Sequence, residues 1–319
     1  MPLIEESSYP KPNFINRNSH LSTIIPAKFK KYPIPEYSRE KMDTDDGDFL
    51  NLDWRFQDNK NKLVILFHGL EGDSKRTYLN SCSDYFYERG FNILAWNHRS
   101  CGGEMNKTFR LYHHGSIDDV HRVVEKAIKE DYQQIYLIGY SMGGALVLNY
   151  LGNYEIDSRI KCGVVFSAPI SLKSCADELK KFPNTVYFKN FKRTLAPKFK
   201  EKAKQFPGKV NEKMIDNIKT FDEVDDYFTA PMHGYKSKED YYQKASPATV
   251  LDQIKIPCLV INAKNDPFLG KNCYPKERFK NHSYCTLEIP KYGGHCAFTL
   301  ENNQHSWAEM RALEFMEKY

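Results

Sequence analysis

The feature that most constrains this chain is a serine framed by glycines between two apolar segments. Residues 139–143 read Gly-Tyr-Ser-Met-Gly, after the apolar run 135–138 and before the apolar run 145–148. The pattern predicts a buried strand, a turn too tight for a side chain at either glycine, and then a helix, with Ser141 exposed as a nucleophile. The alternative is a glycine-rich turn whose serine only caps the helix. The rest of the chain decides between the two.

The alternation of short apolar runs with helical patterns predicts the fold class. Strands are expected at residues 63–67, 91–96, 135–138, 162–166, 258–263 and 285–289, and helices at 78–89, 117–129 and 307–318. Such alternation is typical of an α/β fold whose mostly parallel central sheet is covered by helices on both faces. Residues 37–42 and 49–54 flank an acidic turn and predict an antiparallel hairpin at the sheet edge. We expect one domain over residues 1–319.

Residues 171–246 interrupt this alternation, because they show no strand pattern and helical spacing takes over. Two apolar stripes are visible, and Pro197 suits the first turn of the helix that carries the first stripe. The stripes consist of Leu195, Phe199, Ala203 and Phe206, and of Met214, Ile215 and Ile218. We expect a helical lid inserted between two strands of the sheet.

The positive charge is concentrated in one segment. The net charge is +5, but residues 180–204 contain nine Lys or Arg and one acid, so the remainder is slightly acidic. The chain as a whole therefore predicts no nucleic-acid partner. The basic segment is either a solvated helix face or, with its aromatic residues, a contact for an anionic lipid surface or an acyl chain. Those aromatic residues are Phe182, Tyr187, Phe188, Phe191 and Phe199.

Cysteine usage and apolar segments indicate a reduced, cytoplasmic protein. The eight cysteines are scattered, and Cys162 and Cys258 lie inside apolar runs, which favours buried thiols over a disulfide framework. No CxxC or HExxH motif suggests a metal site, so neither a metal nor another cofactor is expected. No run approaches the roughly 20 apolar residues of a membrane span, and the first residues do not resemble a secretory signal.

Two further residues complete a candidate catalytic triad. A nucleophilic serine needs a base, and the base needs an orienting acid. Asp266 follows the run 259–263, and His295 follows the run 285–289. Taken alone, Asp266 fits a turn residue and His295 a surface loop residue. Because parallel strands bring their carboxyl ends to one edge, we instead expect Ser141, Asp266 and His295 to meet.

Backbone amides are expected to stabilise the oxyanion. Met142, directly after the nucleophile, supplies one amide, and Leu70 in the segment His-Gly-Leu-Glu-Gly at 68–72 supplies the second. His68 is a rival general base, but its position at the end of a strand favours a hydrogen bond that shapes the loop. Arg99, Arg110, His113 and Asp118 either line the mouth of the site or form a buried ion-pair network, and we favour the network.

These motifs resemble the α/β-hydrolase fold and, within it, the YheT-like family of esterases and of medium-chain acyl-ester and phospholipid hydrolases. The matching segments are residues 18–24, 68–72, 97–103, 110–115, 221–226, 229–234, 241–246 and 293–298. They extend over almost the whole chain. The chain departs from the family at Asn265, where an aspartate is frequent, which leaves Asp266 as the sole acid of that loop. The membrane anchor of many members is not expected here.

The sequence therefore predicts a serine carboxylester hydrolase. Its expected substrate is a small-molecule ester with a hydrophobic acyl chain of short to medium length, processed through an acyl-serine. Transfer of the acyl group to an alcohol, or hydrolysis of a thioester or an amide, would use the same groups. A non-catalytic lipid-binding relative is the alternative from another class, since fold alone does not fix function.

Overall fold

The computed structural model describes residues 2–319 and has a nine-stranded sheet at its centre. The spatial order is β1-β9-β8-β7-β6-β4-β5-β3-β2, and neighbours are parallel except for the pairs β2–β3 and β3–β5. The strands are β1 (Leu3–Ile4), β2 (Ser38–Asp43), β3 (Phe49–Arg55), β4 (Lys62–Phe67), β5 (Asn92–Asn97), β6 (Gln134–Tyr140), β7 (Ile160–Phe166), β8 (Cys258–Ile261) and β9 (Cys285–Glu288). The predicted fold class and the edge hairpin are confirmed.

Helices cover both faces of the sheet. They are α1 (Phe14–Arg17), α2 (Ser19–Phe29), α3 (Thr77–Tyr87), α4 (Ile117–Lys129), α5 (Met142–Asn153), α6 (Leu172–Leu179), α7 (Thr185–Gln205), α8 (Glu212–Ile215), α9 (Phe221–Val224), α10 (Ala230–Met232), α11 (Lys238–Ala245), α12 (Lys276–Lys280) and α13 (Trp307–Met316). The sheet has one hydrophobic core on each face, and successive β4 residues point into opposite cores. Ile65 packs with α4 and α5, whereas Leu66 packs with α3 and α13. No helix of residues 2–319 is long and apolar enough to cross a membrane.

The N-terminal segment adds elements that the sequence pattern does not reveal. β1 has only two residues and pairs in parallel with β9, where Leu3 faces Leu287. α2 begins after Asn18, whose side chain accepts hydrogen bonds from the amides of the first turn. These elements bring the N-terminal segment to the carboxyl edge of the sheet, beside the loop after β9.

The helical insertion, residues 171–246, contains α6 to α11 between β7 and β8. The expected place of Pro197 in a first turn is wrong, because α7 begins at Thr185 and Pro197 lies inside the helix. The buried Tyr187 and Phe188 extend the packed face toward the N-terminus, and this packing outweighs the backbone hydrogen bond that an internal proline removes. In the second predicted stripe, Ile215 and Ile218 are buried as expected. The helix is shorter than the stripe, however, because α8 ends at Ile215.

The basic segment is only partly solvated. Lys202 is fully buried, and its ammonium donates to the carbonyl oxygens of Asn106 at 2.7 Å and Thr108 at 2.6 Å. Of the five aromatic side chains interleaved with the lysines, Phe182 alone is exposed. A lipid surface would therefore meet lysines and Phe182 rather than an aromatic face.

Arg99 forms the centre of a buried ion-pair network at the edge of the sheet. Its guanidinium lies 2.8 Å from Asp48 and 2.7 Å from Asp119, and all three side chains are at most 1% exposed. Arg110 pairs with Asp118 at 2.6 Å beside it. The preferred interpretation of Arg99, Arg110 and Asp118 as a network agrees with these contacts.

We expect Arg99→Met to lower the free energy of unfolding by about 3–5 kcal/mol, because it leaves Asp48 buried without its ion-pair partner and Asp119 without the closer of its two main partners, with Arg122 remaining at 3.1 Å. Urea-induced unfolding measures the change. Arg159→Met is the matched control, since it removes a pair with Asp157 whose side chains are 32% and 30% exposed. The control should lose far less than Arg99→Met, because water and salt screen an exposed pair, and equal losses in both variants would contradict the prediction.

Candidate active site

Ser141 occupies a strained turn between β6 and α5. β6 ends at Tyr140 and α5 begins at Met142, so Ser141 is the single residue between strand and helix. Its φ is 54°, in the left-handed region that costs a non-glycine residue about 1–3 kcal/mol. Ser141 makes no side-chain capping bond to α5, in contrast to the alternative interpretation of a simple capping residue.

The flanking glycines make this turn possible. A Cβ on Gly139 would lie 2.6 Å from the carbonyl oxygen of Gly143, and one on Gly143 would lie 2.3 Å from that of Phe67. Both distances are far below van der Waals contact. The start of α5 can therefore pack directly on β4 and β6 only because neither position carries a side chain. A Cβ on Gly69 would lie 3.1 Å from the Cβ of Ser141, which keeps the adjacent loop close to the serine.

The structure brings Ser141, His295 and Asp266 together in one hydrogen-bonded chain. Nε2 of His295 lies 2.9 Å from Oγ of Ser141. Nδ1 of the same ring lies 3.0 and 2.9 Å from the two carboxylate oxygens of Asp266. The three residues come from the loops after β6, β8 and β9, at one edge of the sheet. The distances are those of a nucleophile, a base and an orienting acid.

The environment of His295 favours its protonated form. Burial is the largest single influence on the pKa of His295 and lowers it, but Asp266 and Cys296 together outweigh burial and raise this pKa above its ordinary value. The Asp266 carboxylate is itself buried and accepts the amide N–H of Phe268 at 2.9 Å. An imidazole in this setting gains stability when it takes the proton of Ser141.

Residues distant in sequence hold the His295 loop. The amide of His295 donates to Oγ1 of Thr23 at 3.0 Å, and that of Cys296 donates to Oγ of Ser167 at 2.9 Å. The ring of Phe268 stacks on the imidazole of His295 with centroids 4.0 Å apart. Sequence reasoning missed Thr23, Ser167 and Phe268. Thr23 lies in the matching segment 18–24, which was the one available signal for it.

The amides of Leu70 and Met142 are free to bind a substrate oxygen. Within residues 2–319 neither amide donates to a protein acceptor, whereas the neighbouring amides of Gly69 and Glu71 donate to Tyr78 and Tyr112. Leu70 and Ser141 line the same cavity. Met142 is the first residue of α5, so its N–H also carries the partial positive charge of the helix N-terminus.

Glu71 links the Leu70 loop to the helical insertion. Glu71 has a φ of 55°, and its carboxylate lies 2.7 Å from the ammonium of Lys198 on α7. The two side chains are 5% and 15% exposed, and the hydroxyl of Tyr112 also donates to Glu71. This buried pair holds a strained residue directly beside the free amide of Leu70. Sequence reasoning missed Lys198 because it counted this residue only as part of a basic segment.

Both ring nitrogens of His68 contact backbone groups. Its Nε2 accepts the amide N–H of His98 at 3.1 Å, and its Nδ1 lies 2.8 Å from the carbonyl oxygen of Gly69. Complete burial lowers the pKa of His68 well below its ordinary value. These backbone contacts agree with a loop-shaping role rather than with that of a general base.

A largely apolar cavity of about 120 Å³ opens beside Ser141 and His295. Among the residues of 2–319 that line it, none is Lys or Arg. Its apolar lining comes from the Leu70 and Phe268 loops, from the loop before α4 and from the insertion. It comprises Leu70, Leu111, Leu172, Ala176, Leu179, Phe191, Leu195, Phe199, Phe221, Val224, Met232, Phe268 and Leu269. His113 also lines this cavity and so differs from Arg99, with which the sequence grouped it.

No group of three or more His, Cys, Asp or Glu side chains in residues 2–319 is arranged to hold a metal ion. All eight cysteines are free thiols, and seven are buried. The site thus combines a serine hydroxyl, an imidazole, a carboxylate and two free backbone amides next to an apolar cavity. That set matches acyl transfer to and from a serine.

Comparisons with known proteins agree with the fold. The family model for the alpha/beta hydrolase fold matches residues 62–301. The putative esterase YheT of Escherichia coli is 29% identical over 95% of this chain and 91% of its own length. Human phospholipase ABHD3 is 29% identical over 93% of this chain and 75% of its own. The Pyrococcus furiosus esterase Pf2001 has a TM-score of 0.59 at 19% identity, covering 89% of this chain and 91% of that one, and shows the fold.

We expect a fluorophosphonate probe to label this protein at Ser141, because Nε2 of His295 lies 2.9 Å from Oγ, a distance at which it could accept the serine proton. Mass spectrometry of the labelled peptide identifies the site. Ser141→Ala should abolish labelling and His295→Gln should slow it by at least about 100-fold, the lower range of general-base catalysis. Ser158→Ala, at an exposed serine, is the control and should label normally. Equal labelling of Ser141→Ala and the wild type would exclude Ser141 as the nucleophile.

Proposed function

The chain belongs to the alpha/beta hydrolase family and is a hydrolase of the esterase and lipase type, and on this premise we propose that it is a serine carboxylester hydrolase for hydrophobic acyl esters of short to medium chain length. The observation that carries the proposal is the hydrogen-bonded chain of Ser141, His295 and Asp266 beside an apolar cavity.

In the first half of the reaction, Oγ of Ser141 attacks the ester carbonyl carbon while Nε2 of His295 takes the hydroxyl proton. Asp266 holds the ring through Nδ1 and stabilises the imidazolium. The amides of Leu70 and Met142 donate to the developing oxyanion, where each such donor is worth about 3–4 kcal/mol in comparable sites. The C–O bond then breaks, and His295 returns the proton to the leaving alcohol.

In the second half, a water molecule gives a proton to His295 and attacks the acyl-serine, which releases the carboxylic acid and restores Ser141. An alcohol in place of that water would give acyl transfer, and a thioester or an amide would pass through the same acyl-serine. The distances within the triad support catalysis over a role in lipid binding alone, because a binding protein has no need for an aligned base and acid.

The cavity lining supports a hydrophobic acyl group. Apolar side chains from α6, α7 and α9 face the serine, so burial of each CH₂ group of an acyl chain contributes about 0.8 kcal/mol. An anionic headgroup would find no Lys or Arg in the lining of the described residues. We assign the insertion, residues 171–246, as the lid over this cavity, since Leu172, Phe191 and Val224 line it from above the loops that carry the triad.

A chain-length series of p-nitrophenyl esters tests the proposed function. We expect kcat/KM to rise from acetate to a maximum at short to medium length and then to fall, because the cavity is finite. Ser141→Ala should lower kcat at least about 1,000-fold with little change in protein stability. Hydrolysis that survives in Ser141→Ala would contradict the mechanism, and a rate independent of chain length would contradict the assignment of the cavity to the acyl group.

We expect Lys198→Met to lower kcat on the order of tenfold with little change in KM. The substitution leaves Glu71 without its counter-charge and frees the loop that aims the Leu70 amide, and loss of a whole oxyanion donor costs about 100-fold or more. Lys200→Met is the matched control on the same helix, because Lys200 is 52% exposed and pairs with the exposed Asp216. A change in KM alone, or the same loss in both variants, would contradict this coupling.

A further inference from the structure

Two buried thiols meet where the helical insertion touches the segment that follows Asp266. Cys175 lies on α6, and Cys273 ends the short helical turn Lys271–Cys273. Their sulfur atoms are 3.3 Å apart, although the residues are 98 positions apart in sequence. A disulfide joins its sulfur atoms at about 2.05 Å, so the pair needs an approach of only about 1.3 Å to form one.

Close backbone packing holds the two thiols together. The amide N–H of Asn272 donates to Oγ of Ser174 at 3.2 Å, which joins the residues directly before Cys273 and Cys175. A Cβ on Gly270 would lie 2.3 Å from the carbonyl oxygen of Ser174, so the two segments touch through their backbones. The sulfur atoms are therefore neighbours because two backbone segments pack against each other.

The Cys273 side of the pair is fixed to the end of β8. Nδ2 of Asn262, directly after β8, donates to the carbonyl oxygen of Cys273 at 3.1 Å. The hydroxyl of Tyr274 donates to the carbonyl oxygen of Ala263 at 2.6 Å. Cys273 is thus held by the sheet and Cys175 by the insertion, so a covalent bond between them would join these two parts of the molecule.

Cys175 is the thiol that a small oxidant reaches first. It lines the cavity beside Ser141 and is 8% exposed, whereas Cys273 is fully buried and outside the lining of the described residues. The cavity measures about 120 Å³. A water molecule takes about 30 Å³ in the liquid, so hydrogen peroxide, which is one oxygen atom larger, fits into this space.

A second pair of buried cysteines has a different setting. Cys258 and Cys285 are partners on the neighbouring strands β8 and β9, and both are at most 1% exposed. Within residues 2–319 neither of them lines the cavity, so an oxidant in the cavity meets Cys175 and not this pair. A bond between them would only link two strands that already pair with each other.

We propose that Cys175 and Cys273 are a reversible redox site that forms a disulfide with a peroxide as the oxidant. The sulfur of Cys175 attacks one peroxide oxygen, so an S–O bond forms, the O–O bond breaks, and the thiol proton leaves with the released hydroxide as water. The sulfur of Cys273 then displaces the new hydroxyl group, which leaves with the second thiol proton as water. The two thiols lose two electrons in total, and the peroxide gains them.

The environment of Cys175 sets the conditions for this reaction. The hydrogen bond with Cys273 and burial raise the pKa of Cys175, so the thiol keeps its hydrogen near neutral pH. Because the thiolate is the reactive form, oxidation requires peroxide in excess. The inference does not rest on the proposed function, since neither thiol belongs to the triad and no ester takes part.

The disulfide would tie α6 to the sheet. It would close a loop from residue 175 to residue 273, which contains the rest of the insertion and β8. Closing a long loop removes chain entropy from the unfolded state and so stabilises the folded protein. Because α6 also supplies Leu172, Ala176 and Leu179 to the cavity lining, the bond would fix one wall of the cavity.

Peptide mapping of the full-length wild-type protein tests the site. The protein is treated with excess hydrogen peroxide, its remaining thiols are blocked with N-ethylmaleimide in urea, and trypsin is added without reductant. Trypsin cuts after Lys and Arg, so Cys175 lies in the peptide 174–180 and Cys273 in the peptide 272–276. We expect mass spectrometry to find these peptides joined with the loss of two hydrogens, and to find them separate again after dithiothreitol.

Urea unfolding measures whether the bond ties α6 to the sheet. We expect peroxide to raise the urea midpoint of the wild-type protein by on the order of 1 M, and dithiothreitol to reverse this shift. The untreated wild type is the reference, so the comparison does not depend on how a variant folds. Cys175→Ser and Cys273→Ser should show neither the joined peptides nor the shift, whereas the control Cys285→Ser should show both.

Free thiols in both peptides after peroxide treatment would overturn the redox site. A bond between the peptides 256–264 and 281–291, which contain Cys258 and Cys285, in place of the expected one would overturn it as well. A bond between two chains, seen as a dimer on a gel without reductant, has the same consequence. Joined peptides without a shift of the urea midpoint would support the site and contradict the tie between α6 and the sheet.

Discussion

The close packing of α5 against the middle of the sheet is the constraint on which the site depends. A carbonyl oxygen of β4 occupies the space that a Gly143 side chain would need, and the strand β6 runs straight into the helix through Ser141. The strained backbone conformation of Ser141 is maintained because β6 before it and α5 after it are both buried. The serine is therefore held by the core of the protein and not by its own loop.

The other parts of the site are held by contacts that cross long stretches of sequence. Thr23 supports the His295 loop from the N-terminal segment, and Lys198 supports the Leu70 loop from the helical insertion. Both supports lie outside the sheet that carries the triad. Displacement of either segment would therefore move the His295 imidazole or the Leu70 amide without substitution of Ser141, His295 or Asp266.

The contrast between local packing around Ser141 and long-range contacts elsewhere in the site explains how much the sequence could predict. The parallel sheet, the edge hairpin and the loops of Ser141, Asp266 and His295 follow from local apolar periodicity and strand order, which need no knowledge of distant contacts. Thr23, Phe268 and Lys198 act through partners that are far away in sequence, so apolar periodicity does not mark them, and only the resemblance of segment 18–24 to the family points to Thr23. Pro197 was misplaced for the same reason, because packing of Tyr187 and Phe188 extends α7 past the boundary that propensity alone favours.

The helices of the insertion both support the loop of Leu70 and line the cavity. α7 places Lys198 beside Glu71 and Phe199 in the cavity lining, while the segment after α9 adds Asp225 and His233 to the same lining. Occupation of the cavity by an acyl chain packs against the same helix that fixes Glu71. In the proposed mechanism, acyl-chain binding and oxyanion stabilisation would share this helix, so an ester that fills the cavity would also stabilise the arrangement that reacts with it, whereas a short ester would gain only the chemistry of the triad.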